Sequence, residues 1–134
     1  MLVSQHTTIK KDLELGLQNQ KYVLTTLRNK FGDSLVETQD KYCKWDYEDS
    51  LGNHYEMKSR RSMKRTYPTT LLPCHKVMNT NVKQFYIFKF TDKLTFIEYN
   101  DELFNTFETG WITDGRTGKE DLHHYIPVEL LIDI

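Results

Sequence analysis

Long apolar runs, a strong net charge and paired cysteines are all missing from this 134-residue sequence. No apolar run approaches the roughly 20 residues that a helix needs to cross a bilayer. No charged-then-apolar segment of the signal type opens the chain. We therefore expect no membrane partner and no secretion. The 18 Lys and Arg residues nearly cancel the 19 Asp and Glu residues, so the overall charge indicates no class of partner.

Cysteine, proline and glycine are scarce, with 2, 3 and 6 copies respectively. Cys43 and Cys74 lack the spacing of a metal site, so we interpret them as reduced thiols of an intracellular protein. Aromatic residues make up 13% of the chain, which favours a packed domain with a sheet over a disordered segment. The length predicts a single domain over residues 1–134, with residues 1–8 frayed.

Hydrophobic periodicity predicts an α/β or α+β domain, in which a helix precedes a mixed sheet and short helices follow it. The first helix should span Ile9 to Phe31 and end at Gly32. A short helix near Asp101 to Phe107 should be capped by Asn100 or Asp101. The predicted strands are Leu35 to Thr38, Tyr42 to Asp49, Asn53 to Arg60, Gln84 to Phe90 and Leu94 to Tyr99.

The loop of the first hairpin decides which residues face each other. A three-residue loop with a left-handed Gly52 is a favoured arrangement, and it places Asp46 opposite Glu56. Lys58 follows on the same face, because side chains alternate along a strand. A slip of one residue would bury these charges, so we predict the three-residue loop. The other face then collects five residues that form an apolar surface: Cys43, Trp45, Tyr47, Tyr55 and Met57.

Two carboxylates directly opposite each other repel, which destabilises a strand pair. A divalent cation between Asp46 and Glu56 would remove the repulsion, and oxygen ligands suit Mg²⁺ or Mn²⁺. Lys58 beside them could stabilise developing negative charge. The alternative is an ordinary solvated strand face, on which Glu56 and Lys58 are surface charges.

Asp46, a turn and then Glu56-Met57-Lys58 on the next strand resemble the PD-(D/E)xK nuclease superfamily. The stretch from Glu56 through Thr70 is also similar to short nucleases and resolvase-like proteins of phages and large DNA viruses. The resemblance implies a restriction-endonuclease-like mixed central sheet flanked by helices, with Mg²⁺ as the cofactor. It further implies hydrolysis of DNA phosphodiester bonds, including those of branched DNA, in the cytoplasm or the interior of a host cell. Some members act as dimers, so a homodimer is expected, and others have lost catalysis and only bind DNA.

The resemblance also suggests a role for each residue of the motif. Asp46 and Glu56 would hold the metal with the Met57 carbonyl, and Lys58 would assist the attack. In the family the preceding helix usually carries another acid, and the matching position here is Gln20. Its amide could offer an oxygen to the metal. Gln20 could instead be a core residue whose amide is satisfied locally.

A basic run follows the motif directly, at the place where a phosphate backbone would arrive. Cations there would neutralise phosphates without distinguishing bases, although a solvated loop is the alternative. The residues expected to contact DNA are Arg60, Arg61, Lys64, Arg65 and, from a later helical turn, Lys76.

Overall fold

The computed structural model describes residues 22–40, 42–77 and 81–134. Residues 22–31 form the helix α1, and Asp101–Phe104 form the short helix α2. Cys74–Lys76 and Val128–Leu130 are single 3-10 turns. The strands in these ranges are β1 Val36–Glu37, β2 Tyr47–Glu48, β3 His54–Ser59, β4 Thr69–Pro73, β5 Gln84–Lys89, β6 Leu94–Glu98, β7 Thr109–Thr113, β8 Glu120–Pro127 and β9 Ile132–Asp133.

Two sheets organise these strands. The main sheet has the order β1-β2-β3-β5-β6-β9, and the small sheet has the order β4-β8-β7. In the main sheet β3 and β5 run parallel, and every other neighbouring pair is antiparallel. The predicted α+β class with a mixed sheet is therefore confirmed. None of the helices in the described ranges is long and apolar enough to cross a membrane.

Helix α1 covers one face of the main sheet. Its stripe residues Val23 and Leu27 are almost completely buried, in a cluster that includes Tyr55 and Ile87 from the central strands. The helix ends where the sequence predicts, because Gly32 has a φ of 116° and donates its N–H to the Arg28 carbonyl. Left-handed backbone of this kind is a common way to end a helix, and it favours glycine.

The small sheet covers the opposite face of the main sheet. Leu72 of β4 and Ile126 of β8 are fully buried against Tyr86 and Phe88 of β5. Here the structure differs from the expected helical cover. The connection between the parallel strands β3 and β5 passes through a strand, β4, and a 3-10 turn. Thr69 to Leu72 lies between two prolines, and so short an interval favours a strand over a helix.

The hairpin of β2 and β3 has the predicted register. Tyr47 pairs with Tyr55, and the Asp46 N–H donates to the Tyr55 carbonyl at 3.0 Å, so Asp46 lies beside Glu56. Gly52 closes the three-residue loop with a φ of 80°. The predicted loop is thus confirmed, although β2 is much shorter than expected because the chain is bent at residues 44–46, directly before it.

The second half of the chain was predicted less completely. The hairpin of β5 and β6 is present, and Asn100 caps α2 by accepting the Leu103 N–H at 2.9 Å. Strands β4 and β7 were not predicted, and only the end of β8 near Tyr125 was expected, as an apolar strand or helix end. The partner of β4 lies far away in the sequence, whereas β7 and β8 form a local hairpin, with Thr113 paired to Glu120, that was not recognised.

Substitution of Gly52 by alanine should destabilise the protein by about 1 kcal/mol, because a Cβ disfavours left-handed backbone. Space is not the reason, since an added Cβ would meet only Val82 Cγ1 at an ordinary 3.8 Å. Urea unfolding followed by circular dichroism gives the free energy of unfolding of each protein.

Gly115→Ala is the matched control. Gly115 also lies in a turn, yet it lacks a positive φ and has open space around its Cα. Alanine there should leave stability unchanged or raise it slightly. Equal losses at both positions would show that the Gly52 conformation does not hold the hairpin register.

Candidate active site

Glu56 is the centre of the candidate site and an unusual residue for the middle of a sheet. It lies on β3 between β2 and β5, opposite Tyr86, and only 8% of its surface is exposed. Alternation along β3 directs Lys58 to the same face, next to Phe88. A carboxylate beside the aromatic rings of Tyr86 and Phe88 is partly removed from water, so it requires compensating charges.

Two ammonium groups supply this compensation. Lys58 Nζ and Lys76 Nζ each lie 3.3 Å from Oε1 of Glu56. Lys76 ends the 3-10 turn after β4, and its carbonyl accepts the Tyr86 hydroxyl at 3.1 Å. Burial and the nearby Glu56 charge raise the pKa of Tyr86, so its hydroxyl stays a donor. This hydrogen bond holds the turn where Lys76 reaches the carboxylate.

Asp46 brings a second carboxylate to this face. The backbone N–H of Met57 donates to Oδ2 of Asp46 at 2.8 Å, which fixes the orientation of the exposed carboxylate. Burial and then the Asp46 charge raise the pKa of Glu56, while Lys58 and Lys76 lower it without cancelling the rise. The ionised form of Glu56 is therefore held at a cost in folding free energy.

The donor set fits a hard divalent cation. The Met57 N–H occupies Oδ2 of Asp46, and the two lysines contact Oε1 of Glu56. Within the described ranges the second oxygen of each carboxylate has no hydrogen bond or ion pair. No group of three or more His, Cys, Asp or Glu side chains at metal-binding distance is found in this part of the chain. Two carboxylates are nonetheless enough for Mg²⁺, which keeps several waters and takes further oxygens from substrate phosphates.

The structure places Trp45 differently from the expectation. Its ring stacks on His54 with 3.6 Å between ring centroids, and His54 precedes Glu56 on the same face of β3. Trp45 therefore lies on the charged side of the hairpin and not on the apolar side with Tyr47. The bend at residues 44–46 breaks the strand alternation on which the expectation depended.

The basic run divides into two pairs. The Arg60 guanidinium is half-buried, donates to Thr70 Oγ1 and the Leu71 carbonyl, and so joins β3 to β4 of the small sheet. Lys64 donates to the carboxylate of Asp133 at 2.7 Å. These two cations have partners within the fold, and their expected contacts with DNA stay predictions.

The other residues of the expected site have different outcomes. Arg61 and Arg65 are exposed in the loop that follows β3, as a phosphate contact requires. Lys76 was expected to contact DNA, and the structure brings it to Glu56. The helical turn after Pro73 suggested that Lys76 approaches the site, and the structure shows that its partner there is Glu56. Gln20 lies outside the described residues, so its expected direction towards Asp46 and Glu56 stays a prediction.

Glu56→Gln should raise stability in metal-free buffer, to an extent that depends on pH. The pKa of folded Glu56 lies above its ordinary value of 4.5. Protonated Glu56 therefore favours the folded state. This contribution to the free energy of unfolding is complete below pH 4.5 and is lost as pH rises through the raised pKa of Glu56. Glutamine imitates the neutral acid at every pH. Urea unfolding should thus show a more stable variant at about pH 7 and equal stabilities at about pH 4.

Asp49→Asn is a control with the opposite sign. Partial burial of the Asp49 carboxylate is outweighed by hydrogen bonds from Tyr55 and Asn53, which lower its pKa. Asparagine there should cost stability at neutral pH, and the deficit should disappear only as pH falls through the lowered pKa. A Glu56→Gln variant that is less stable than the parent at neutral pH would contradict the proposed strain at Glu56.

Comparison with known proteins gave no match: no protein-family model, no curated protein and no solved structure matches this chain. The functional proposal therefore rests on the geometry around Glu56 alone.

Proposed function

We propose that the protein is a Mg²⁺-dependent DNA endonuclease with a restriction-endonuclease-like fold. One observation carries the proposal: buried Glu56 lies beside Asp46, and Lys58 Nζ is 3.3 Å from its carboxylate. Hydrolysis of a phosphodiester needs carboxylates that hold a metal ion and a cation that stabilises negative charge on the phosphate, and these three side chains can supply both. The packing of helix α1 against a mixed sheet also supports the proposed fold. Mn²⁺ could replace Mg²⁺ as the cofactor.

Asp46, Glu56 and the Met57 carbonyl are the proposed ligands, with Gln20 as a further candidate. When bound, Mg²⁺ lowers the pKa of a coordinated water and polarises the phosphoryl oxygen. The hydrogen bond from the Met57 N–H keeps the Asp46 carboxylate oriented before any ligand arrives. Pre-set orientation of this kind reduces the entropy lost when the reacting groups are brought together.

Lys58 is the residue proposed to act on the reacting phosphate. Its ammonium is held by Glu56, and about a quarter of its side chain remains exposed, at 27%. From there it can orient an attacking water or stabilise the negative charge that develops on the phosphate oxygens. Lys76 has a similar position, and it neutralises Glu56 in the metal-free protein. Both ammonium groups would be available to phosphate once Glu56 binds a cation.

Arg61 and Arg65 are proposed to contact the DNA backbone. They lie in the loop that follows β3, so phosphates bound there would continue into the site. The Lys64–Asp133 ion pair and the hydrogen bond from the Lys64 N–H to Asp92 hold this loop against the main sheet. Branched DNA as a substrate and a homodimer as the active form remain predictions.

A second candidate function is a DNA-binding or assembly module of the same fold without catalysis. The observation that favours it is the pair of lysines on Glu56, which neutralise the carboxylate without any metal. A cation would have to compete with both ammonium groups, and a glutamine at position 20 supplies no additional negative charge. The two functions differ in whether the protein cuts DNA when Mg²⁺ is present.

Asp46→Ala and Lys58→Ala should each reduce nicking of supercoiled plasmid DNA by about 100-fold or more, as is typical for loss of a charge-stabilising group. Reactions with Mg²⁺, with Mn²⁺ and with EDTA separate metal-dependent cutting from contamination. Lys83→Ala is the control, since Lys83 is an exposed lysine directly before β5 and pairs with Glu98. Thermal melts show whether each variant folds. Unchanged cutting by a folded Asp46 or Lys58 variant would mean that the site is misplaced.

Removal of both exposed arginines, Arg61→Ala with Arg65→Ala, should weaken DNA binding for every sequence. The slope of log K against log salt should flatten by about one unit for each phosphate that the variant no longer neutralises. Fluorescence anisotropy in EDTA measures binding without cleavage, and Lys83→Ala again serves as the control. A slope equal to that of the parent would place the DNA on another surface.

A further inference from the structure

We propose that the cavity beside Lys58 receives one unpaired nucleobase of the DNA strand that is cut. The inference rests on the proposed function and adds a substrate class to it, namely DNA with an unpaired nucleotide next to the scissile phosphate. The cavity has a volume of about 610 Å³, within the range of small-molecule sites.

The position of the cavity connects it to the candidate site. It lies between the end of β3, the loop that follows it, and strands β4 and β8 of the small sheet. Lys58 lines this cavity and also contacts Glu56. A molecule that fills the cavity therefore lies within reach of the ammonium group that is proposed to act on the phosphate. A nucleotide joins both parts covalently, because its base and its phosphate belong to one unit.

The lining favours a flat, neutral group with aromatic faces. Tyr67, Tyr125 and His123 contribute rings, and Met63, Leu71 and Val128 contribute apolar surface. Aromatic side chains accept any base by stacking, since every base has a π-face.

The charges of the lining leave little capacity for a phosphate inside. Arg60 and Lys64 border the cavity, but they are committed to Thr70, the Leu71 carbonyl and Asp133. Lys58 is then the cation at the edge that faces the scissile phosphate. The arrangement thus matches a base inside the cavity and a phosphate at its rim.

Tyr67 is the residue on which the proposal depends most. Its side chain lies in the loop after β3 with 62% of the residue exposed, and within the described ranges its hydroxyl has no hydrogen bond. A large exposed aromatic ring at the mouth of a cavity is available to stack on an entering base.

A base inside a regular duplex cannot enter such a cavity, because both of its faces are stacked and its edge is paired. Extrusion costs free energy, and that cost is smallest where the base is already unpaired. The cavity therefore predicts a preference for bulged, branched or single-stranded sites over a perfect duplex.

The test compares two labelled duplexes of equal length, one fully paired and one with a single 2-aminopurine nucleotide bulged out. Binding is measured by anisotropy in EDTA. The parent protein should bind the bulged duplex about tenfold more tightly, as one stacked base allows. Tyr67→Ala should remove this preference while changing the affinity for paired duplex less than twofold. Tyr67→Phe retains the ring and should retain the preference.

Tyr22→Ala is the control, because Tyr22 is an exposed tyrosine of α1 outside this cavity. Equal binding of both duplexes by the parent, or a preference that survives in Tyr67→Ala, would overturn the cavity proposal. In that case the nuclease proposal still stands if Mg²⁺-dependent cutting depends on Asp46. Failure to bind or cut either duplex would overturn both proposals.

Discussion

The backbone register between β2 and β3 is the constraint on which the rest of the structure depends. Side chains alternate along β3, so one register sends Tyr55 to the helix side and Glu56 with Lys58 to the other side. A shift by one position would place two charges under α1 and an aromatic ring beside Lys76. The left-handed backbone at Gly52 sets this register within a three-residue loop. A local turn thereby determines which face of the main sheet carries chemistry.

Glu56 belongs to the candidate site but lowers the stability of the fold. Its position beside Tyr86 desolvates the carboxylate, and the raised pKa shows that the lysines offset only part of that cost. A residue chosen for packing at this position would be apolar. Perturbed carboxylates held with a charged partner are characteristic of functional sites, although structural ion pairs also produce them. The raised pKa of Glu56, with two lysines beside the carboxylate, therefore supports the proposed function.

The features that the sequence predicted correctly depend on local interactions. Loop length predicted the register at Gly52, alternation predicted the shared face of Glu56 and Lys58, and an N-cap preference limited the cap of α2 to Asn100 or Asp101, of which Asn100 is observed. The β7–β8 hairpin is local, but its turn at residues 114–119 was not recognised, whereas strand β4 was missed because it pairs across a long interval, as Thr70 does with Ile126. The same limitation affected the basic run: Lys64 appeared free for DNA, but its partner Asp133 lies far along the chain. Periodicity carries no information about such pairs.

The chain passes from the main sheet to the small sheet between β3 and β4, and this has a consequence for the order of folding. Strand β4 leaves the parallel strand β3 and pairs with β8, which follows much later in the chain. Contacts between distant segments form slowly, because the intervening loop must first be closed. The β2–β3 hairpin can form as soon as its own residues are available, which brings Asp46 and Glu56 together early. The walls that Tyr125 and His123 contribute must wait for β8, so a partly synthesised chain would present the acidic pair before it has the cavity that is proposed to select its substrate.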